Sequence, residues 1–79
     1  MRIRVRLFGP LAEQAGKAEL LVTVTGATVR DVVAAVAIAA PALKIDPSVR
    51  FAVNTDYMDP SAAVREDDVV SLIPPVGGG

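Results

Sequence analysis

Along residues 2–8 the apolar side chains of Ile3, Val5 and Leu7 alternate with Arg2, Arg4 and Arg6. A period of two predicts a strand with one buried face and one wet face. Gly9-Pro10 ends it. Residues 11–15 suit a short helical turn, with Pro10 fit for a first helical position and Gly16 for the stop. Gly16-Lys17 also suits a hairpin tip, so the two structures compete for the same residues. Residues 19–25, ELLVTVT, form a second β-rich run with Leu20, Val22 and Val24 inward. Glu19, Leu21 and Thr23 then share the outer face, and pairing of the two strands would bring the outer arginines near Glu19.

The clearest element starts at Thr28. With Asp31 three residues on, it resembles a capping box in which Asp replaces the usual Glu or Gln. Val29, Val32, Val33, Val36, Ala37 and Ala40 recur at helical spacing, and Pro41 ends the run. Residues 41–47 read as loop. Residues 49–54 read as a third strand, NTD as a turn, Tyr57-Met58 as a short strand and Asp59-Pro60 as another turn. After the acidic turn REDD, the run VVSLIP lacks alternation, as expected of a central strand covered on both sides.

Periodicity alone predicts an α+β protein, a mixed sheet of four to five strands packed on one main helix. The order strand, strand, helix, strand, short strand, strand is similar to that of the ubiquitin-like β-grasp, whose first and last strands lie together at the sheet centre. Residues 1–73 are expected to form this domain and residues 74–79 a flexible C-terminal tail, PPVGGG.

Composition narrows the function. A chain of 79 residues is expected to be one domain with a thin core. Its 52% apolar content excludes intrinsic disorder. There is no cysteine, hence no disulfide and no thiol nucleophile, and no histidine to serve as general base or metal ligand. Ser48, Ser61 and Ser71 have no evident activating partner and read as ordinary hydroxyls. Glu66, Asp67 and Asp68 lack the spacing of a calcium loop and read as a solvated turn. A net charge of −1, without basic residues interleaved with aromatics, argues against a nucleic-acid partner. The longest apolar run, residues 32–40, is far short of the roughly 20 residues a membrane span needs. The N-terminus lacks the apolar stretch of a signal peptide, so a cytoplasmic protein is expected.

The Arg2, Arg4 and Arg6 face suits either a charged, soluble sheet surface or the acidic patch of a partner. The tail carries the sharper signal. Pro74 and Pro75 hold the backbone extended and cannot continue a ladder. Without Cβ atoms, Gly77, Gly78 and Gly79 can thread a narrow channel on another protein. The reactive group at the tip is the α-carboxylate of Gly79, a poor electrophile until a partner activates it with ATP.

The run SLIPPVGGG, residues 71–79, resembles the C-terminus of the small subunit of molybdopterin synthase, a ubiquitin-like sulfur carrier. LFGPLAEQAG, FAVN and REDDVVSLIPP are similar to other parts of that family. The resemblance implies that Gly79 is adenylated and then converted to a thiocarboxylate, which donates sulfur to cyclic pyranopterin monophosphate. It implies two partners, a ubiquitin-activating-like adenylyltransferase and the large synthase subunit, the latter in a heterotetramer. Pro74, Pro75, Val76, Gly77 and Gly78 would form the stem inside the partner channel. Phe8 would be a core or interface residue. The small chain would be a non-catalytic sulfur donor that binds no cofactor or metal itself, with ATP-Mg used by the activating partner. Gly77 extends the family's usual glycine pair to three, and the far side of the helix, Ala34, Ala35 and Ile38, is not polar. Other readings remain open: a thiocarboxylate carrier for thiamine, cysteine or tRNA thiolation, a protein modifier joined through Gly79, or an interaction domain using the arginine face.

Overall fold

The computed structural model describes residues 1–75. In chain order the elements are β1 (Arg2–Leu7), α1 (Pro10–Ala15), β2 (Glu19–Thr23), α2 (Val29–Ala39), β3 (Arg50–Val53), β4 (Asp56–Met58) and β5 (Val69–Ile73). The five strands form one sheet in the order β2-β1-β5-β3-β4. β1 pairs parallel with β5, as Leu7 opposite Leu72, and antiparallel with β2, as Ile3 opposite Val22. β3 pairs antiparallel with both β5 and β4. The first and last strands therefore meet at the centre, which is the ubiquitin-like β-grasp arrangement expected from the element order.

β1 alternates strictly between exposed and buried residues. Its inward set, Ile3, Val5 and Leu7, meets Val70 and Leu72 of β5 and the Val29, Val32 and Val36 stripe of α2. That stripe is narrower than the spacing predicts, because Ala37 is exposed and Val33 and Ala40 are only half-buried. The core closes instead with Leu43 and Val49, from the segment between α2 and β3. α1 occupies residues 10–15 and Gly16 caps it in the left-handed region, with its N–H on the Ala12 carbonyl. The helical turn therefore prevails over the hairpin tip.

The start of α2 satisfies its orphan amides one by one. The N–H groups of Val29 and Arg30 donate to the carbonyls of Ala62 and Pro60, each at 2.9 Å. The Asp31 N–H donates to Thr28 Oγ1, and the Asp31 carboxylate accepts from the amides of Thr28 and Ala27. Gly26 makes room for this carboxylate: a Cβ there would lie 1.9 Å from Asp31 Oδ2.

The Thr28 hydroxyl, followed by the Thr28 amide, holds the Asp31 carboxyl below the usual carboxylate range. Ser48 does the same for Asp46, and Ser61 for Asp59. A carboxyl whose pKa is lower folded than unfolded leaves the unfolded chain binding more protons. Its stabilisation is complete above about pH 4 and lost as pH falls through the folded value. Thermal melts between about pH 2 and pH 6 should thus show a falling midpoint on the acid side. Asp31→Asn should flatten that slope. An unchanged slope in this variant would show that the capping box does not contribute to it.

Candidate functional site

β5 is the axis of the site. Val70 and Leu72 face the core and are fully buried, while Ser71, facing the opposite side, is only 7% exposed. The strand ends at Ile73, where its ladder partner is Arg50. Pro74 and Pro75 then follow outside any ladder, Pro74 half-buried and Pro75 exposed. Proline supplies no N–H for a further rung, which fixes where the strand stops.

The neighbouring strand carries Phe8 to the same end of the sheet. Gly9 follows with φ +53°, in the left-handed region, and turns the chain into α1. A Cβ at Gly9 would sit 3.5 Å from Pro74 Cγ, so the β1–α1 turn packs beside the departing strand. Phe8, Ile73, Pro74 and Pro75 line a shallow apolar hollow of about 340 Å³ with no polar lining. Phe8 is 40% exposed, and the Arg6 guanidinium lies 5.7 Å from its ring centroid, within cation–π range. Phe8 is thus a surface residue beside the tail exit.

The arginines of β1 all point to the open face of the sheet but differ in their surroundings. Arg4 Nε lies 3.2 Å from Glu19 Oε1. Arg2 shares a polar hollow with Glu66 and Asp67, and its backbone amide donates to Glu66. The expected proximity of the outer arginines to Glu19 is therefore met by Arg4, through its ion pair, and by Arg6, the ladder partner of Glu19. Arg50 and Tyr57 reach this face from β3 and β4, and the sequence pattern did not place them there. Only the strand order does so, because Ala52 is flanked by Ser71 on one side and Tyr57 on the other.

Two of the serines, Ser48 and Ser61, serve turns, and Ser71 lies in β5. Ser48 donates through its amide and hydroxyl to Asp46, and Ser61 does so to Asp59. Asn54, in the left-handed region, donates from Nδ2 to Asp68 and accepts the Val69 N–H, which ties the β3–β4 turn to the start of β5. The Arg65 amide, then the Asn54 side chain, holds the Asp68 carboxyl below its usual range. The acidic turn is thus engaged in the fold. Among the described residues no group of three or more metal-ligating side chains comes together. A second hollow, of about 380 Å³ at the β3–β4 edge, is lined by Arg50, Phe51, Met58 and Pro60 among others. Among the described residues no helix is long and apolar enough to cross a membrane.

Val76, Gly77, Gly78 and Gly79, which the sequence singles out as threaded stem and reactive end, lie outside the described residues.

Comparison with known proteins gives a consistent picture. The model of the ThiS family matches residues 5–79. No curated protein sequence matches the chain. Small archaeal modifier protein 1 (SAMP1) of Haloferax volcanii has a similar structure, with a TM-score of 0.88 and 30% identity over the whole of both chains. A molybdopterin converting factor subunit 1 of Pyrococcus furiosus is 26% identical with a TM-score of 0.80, over 95% of this chain and 98% of that one. Also similar is a chain from the complex of subunits 1 and 2 of the molybdopterin-converting factor of Helicobacter pylori, at 26% identity and a TM-score of 0.70 over all of both chains.

Proposed function

We propose a function from one premise: the chain belongs to the ThiS family and is a small ubiquitin-like carrier. In this reading it is the sulfur carrier of molybdenum cofactor biosynthesis. The Gly79 α-carboxylate attacks the α-phosphorus of ATP on an adenylating partner, releasing pyrophosphate and leaving an acyl-adenylate. A hydrosulfide equivalent then attacks the acyl carbon, AMP departs, and Gly79 ends as a thiocarboxylate. This sulfur passes to cyclic pyranopterin monophosphate inside a large subunit that receives Pro74 to Gly79. The chain acts as donor, and the catalytic groups belong to its partners.

The supporting observation is the exit of β5. The sheet centre delivers Ile73 to the surface, and Pro74-Pro75 leaves beside exposed Phe8 instead of folding back into a ladder. The likeness to two molybdopterin converting factor subunits favours this pathway. The likeness to SAMP1 favours a second reading, transfer of the activated Gly79 acyl group to a lysine amine. Incubation with ATP, sulfide and the adenylating protein of the same genome separates them. Intact mass should show one oxygen exchanged for sulfur, and the loaded chain should convert cyclic pyranopterin monophosphate once the large subunit is added. Conjugates of higher mass without sulfur exchange would favour the modifier. A mass unchanged under all conditions would sink both.

A further inference from the structure

We propose that Arg6 and Arg50 form a docking pair for an acidic rim on the adenylating protein that activates the tail; this rests on the carrier reading above. The charge on the open sheet face is distributed unevenly. Arg2, Arg4, Arg6 and Arg50 stand on it, although the chain as a whole carries a net charge of −1. Of the acids near this face, Glu19 stands opposite Arg6 in the ladder, yet its carboxylate turns to Arg4. Glu66 and Asp67 share a hollow with Arg2. Arg6 and Arg50 make no ion pair among the described residues. Asp59 shares the β3–β4 hollow with Arg50, but its carboxylate accepts from the amide and hydroxyl of Ser61.

These two arginines straddle the exit. Arg6 is the β1 partner of Ser71, and Arg50 is the β3 partner of Ile73. Strands are spaced about 4.8 Å apart, so the two backbones stand about 10 Å apart across β5. Ser71 and Ala52 are small, yet each is under one-tenth exposed on this face. Their ladder neighbours include the exposed Arg6 and Tyr57, whose long stems can shield a small neighbour, and the Arg6 guanidinium lies 5.7 Å from the Phe8 ring centroid. Arg and Tyr over a small-residue floor is the composition of an interface anchor. A partner whose channel admits the tail must bring its rim against this surface. Acidic groups on that rim would meet the two cations, steer encounter and set the angle at which the tail enters.

The test uses the full chain and the adenylating protein of the same genome, with ATP–pyrophosphate exchange as readout. Arg6→Gln with Arg50→Gln keeps much of each covering stem and removes both charges. At about 0.05 M salt its KM should rise roughly tenfold, and the difference should shrink at about 0.5 M salt, with kcat unchanged. Arg30→Gln with Arg65→Gln, which removes as much charge elsewhere, should leave KM as it was. Thermal melts confirm that both pairs remain folded. Equal effects of the two pairs, or a KM within twofold of wild type in the first, overturn the docking pair alone. No exchange with the wild-type chain overturns the carrier reading and this proposal with it. Arginine-dependent binding of tRNA, with KM unmoved, would assign the face to a nucleic acid and overturn the acidic-rim assignment.

Discussion

Deletion of Gly79 is expected to abolish sulfur loading while leaving thermal unfolding unchanged. In the proposed cycle the terminal carboxylate is first the nucleophile toward ATP, and its carbon is then the electrophile toward sulfide, so its position decides whether either step can occur. Removing one residue withdraws that carbon by up to about 3.5 Å along an extended chain. A misplacement of about 1 Å can cost a hundredfold in rate, so loading should fall at least a hundredfold. Stability should be spared because β5 ends at Ile73, six positions before Gly79, and the core is closed by Val70 and Leu72. ATP–pyrophosphate exchange and intact mass read the first effect, and calorimetry reads the second. Full loading of the shortened chain would refute the proposed role of Gly79. A large drop in melting temperature would mean that this residue contributes to the fold.

The largest expected effect on stability lies seven positions earlier. Leu72 has no exposed surface and sits on the central strand, with Leu7 and Phe51 opposite it on either side. Replacing a buried leucine by alanine loses transfer energy and leaves a cavity, together about 2–5 kcal/mol. Domain stabilities start near 5 kcal/mol, and a chain of this size has a thin core, so most of the margin would be lost. At about 4–8 °C per kcal/mol, the melting temperature should fall by roughly 8–40 °C. Leu72→Met roughly conserves volume and should cost under about 1.5 kcal/mol. Urea titrations of the two variants check the contrast. If Leu72→Ala behaved like the methionine variant, β5 would not be the keystone of the core.

Much of this architecture was legible from residue pattern. The alternation in β1, the Thr28–Asp31 box and the proline after α2 act within a few residues, so local physics decides them. The unalternating VVSLIP run implied a central strand because both sides must be covered, and burial of Val70, Ser71 and Leu72 agrees. Less was visible where distant segments decide. Leu43 and Val49 complete the core from a stretch that has no period of its own. Arg50 and Tyr57 join the arginine face only through the β5-β3-β4 order. Asn54 looks like an ordinary turn residue until Asp68 and Val69 are brought against it. Phe8, ambiguous between core and surface, was decided by the sharp turn at Gly9. The tail exit was readable because two prolines end a strand whatever surrounds them.

Because β1 and β5 run side by side in the same direction, Met1 and Pro75 lie toward opposite ends of the sheet. A pull between those two points slides the strands lengthwise past each other. Every rung between them is then strained together, whereas an antiparallel pair pulled from one end would peel rung by rung. In the proposed cycle, a tail held in a partner's channel would thus load β5 lengthwise against its parallel neighbour.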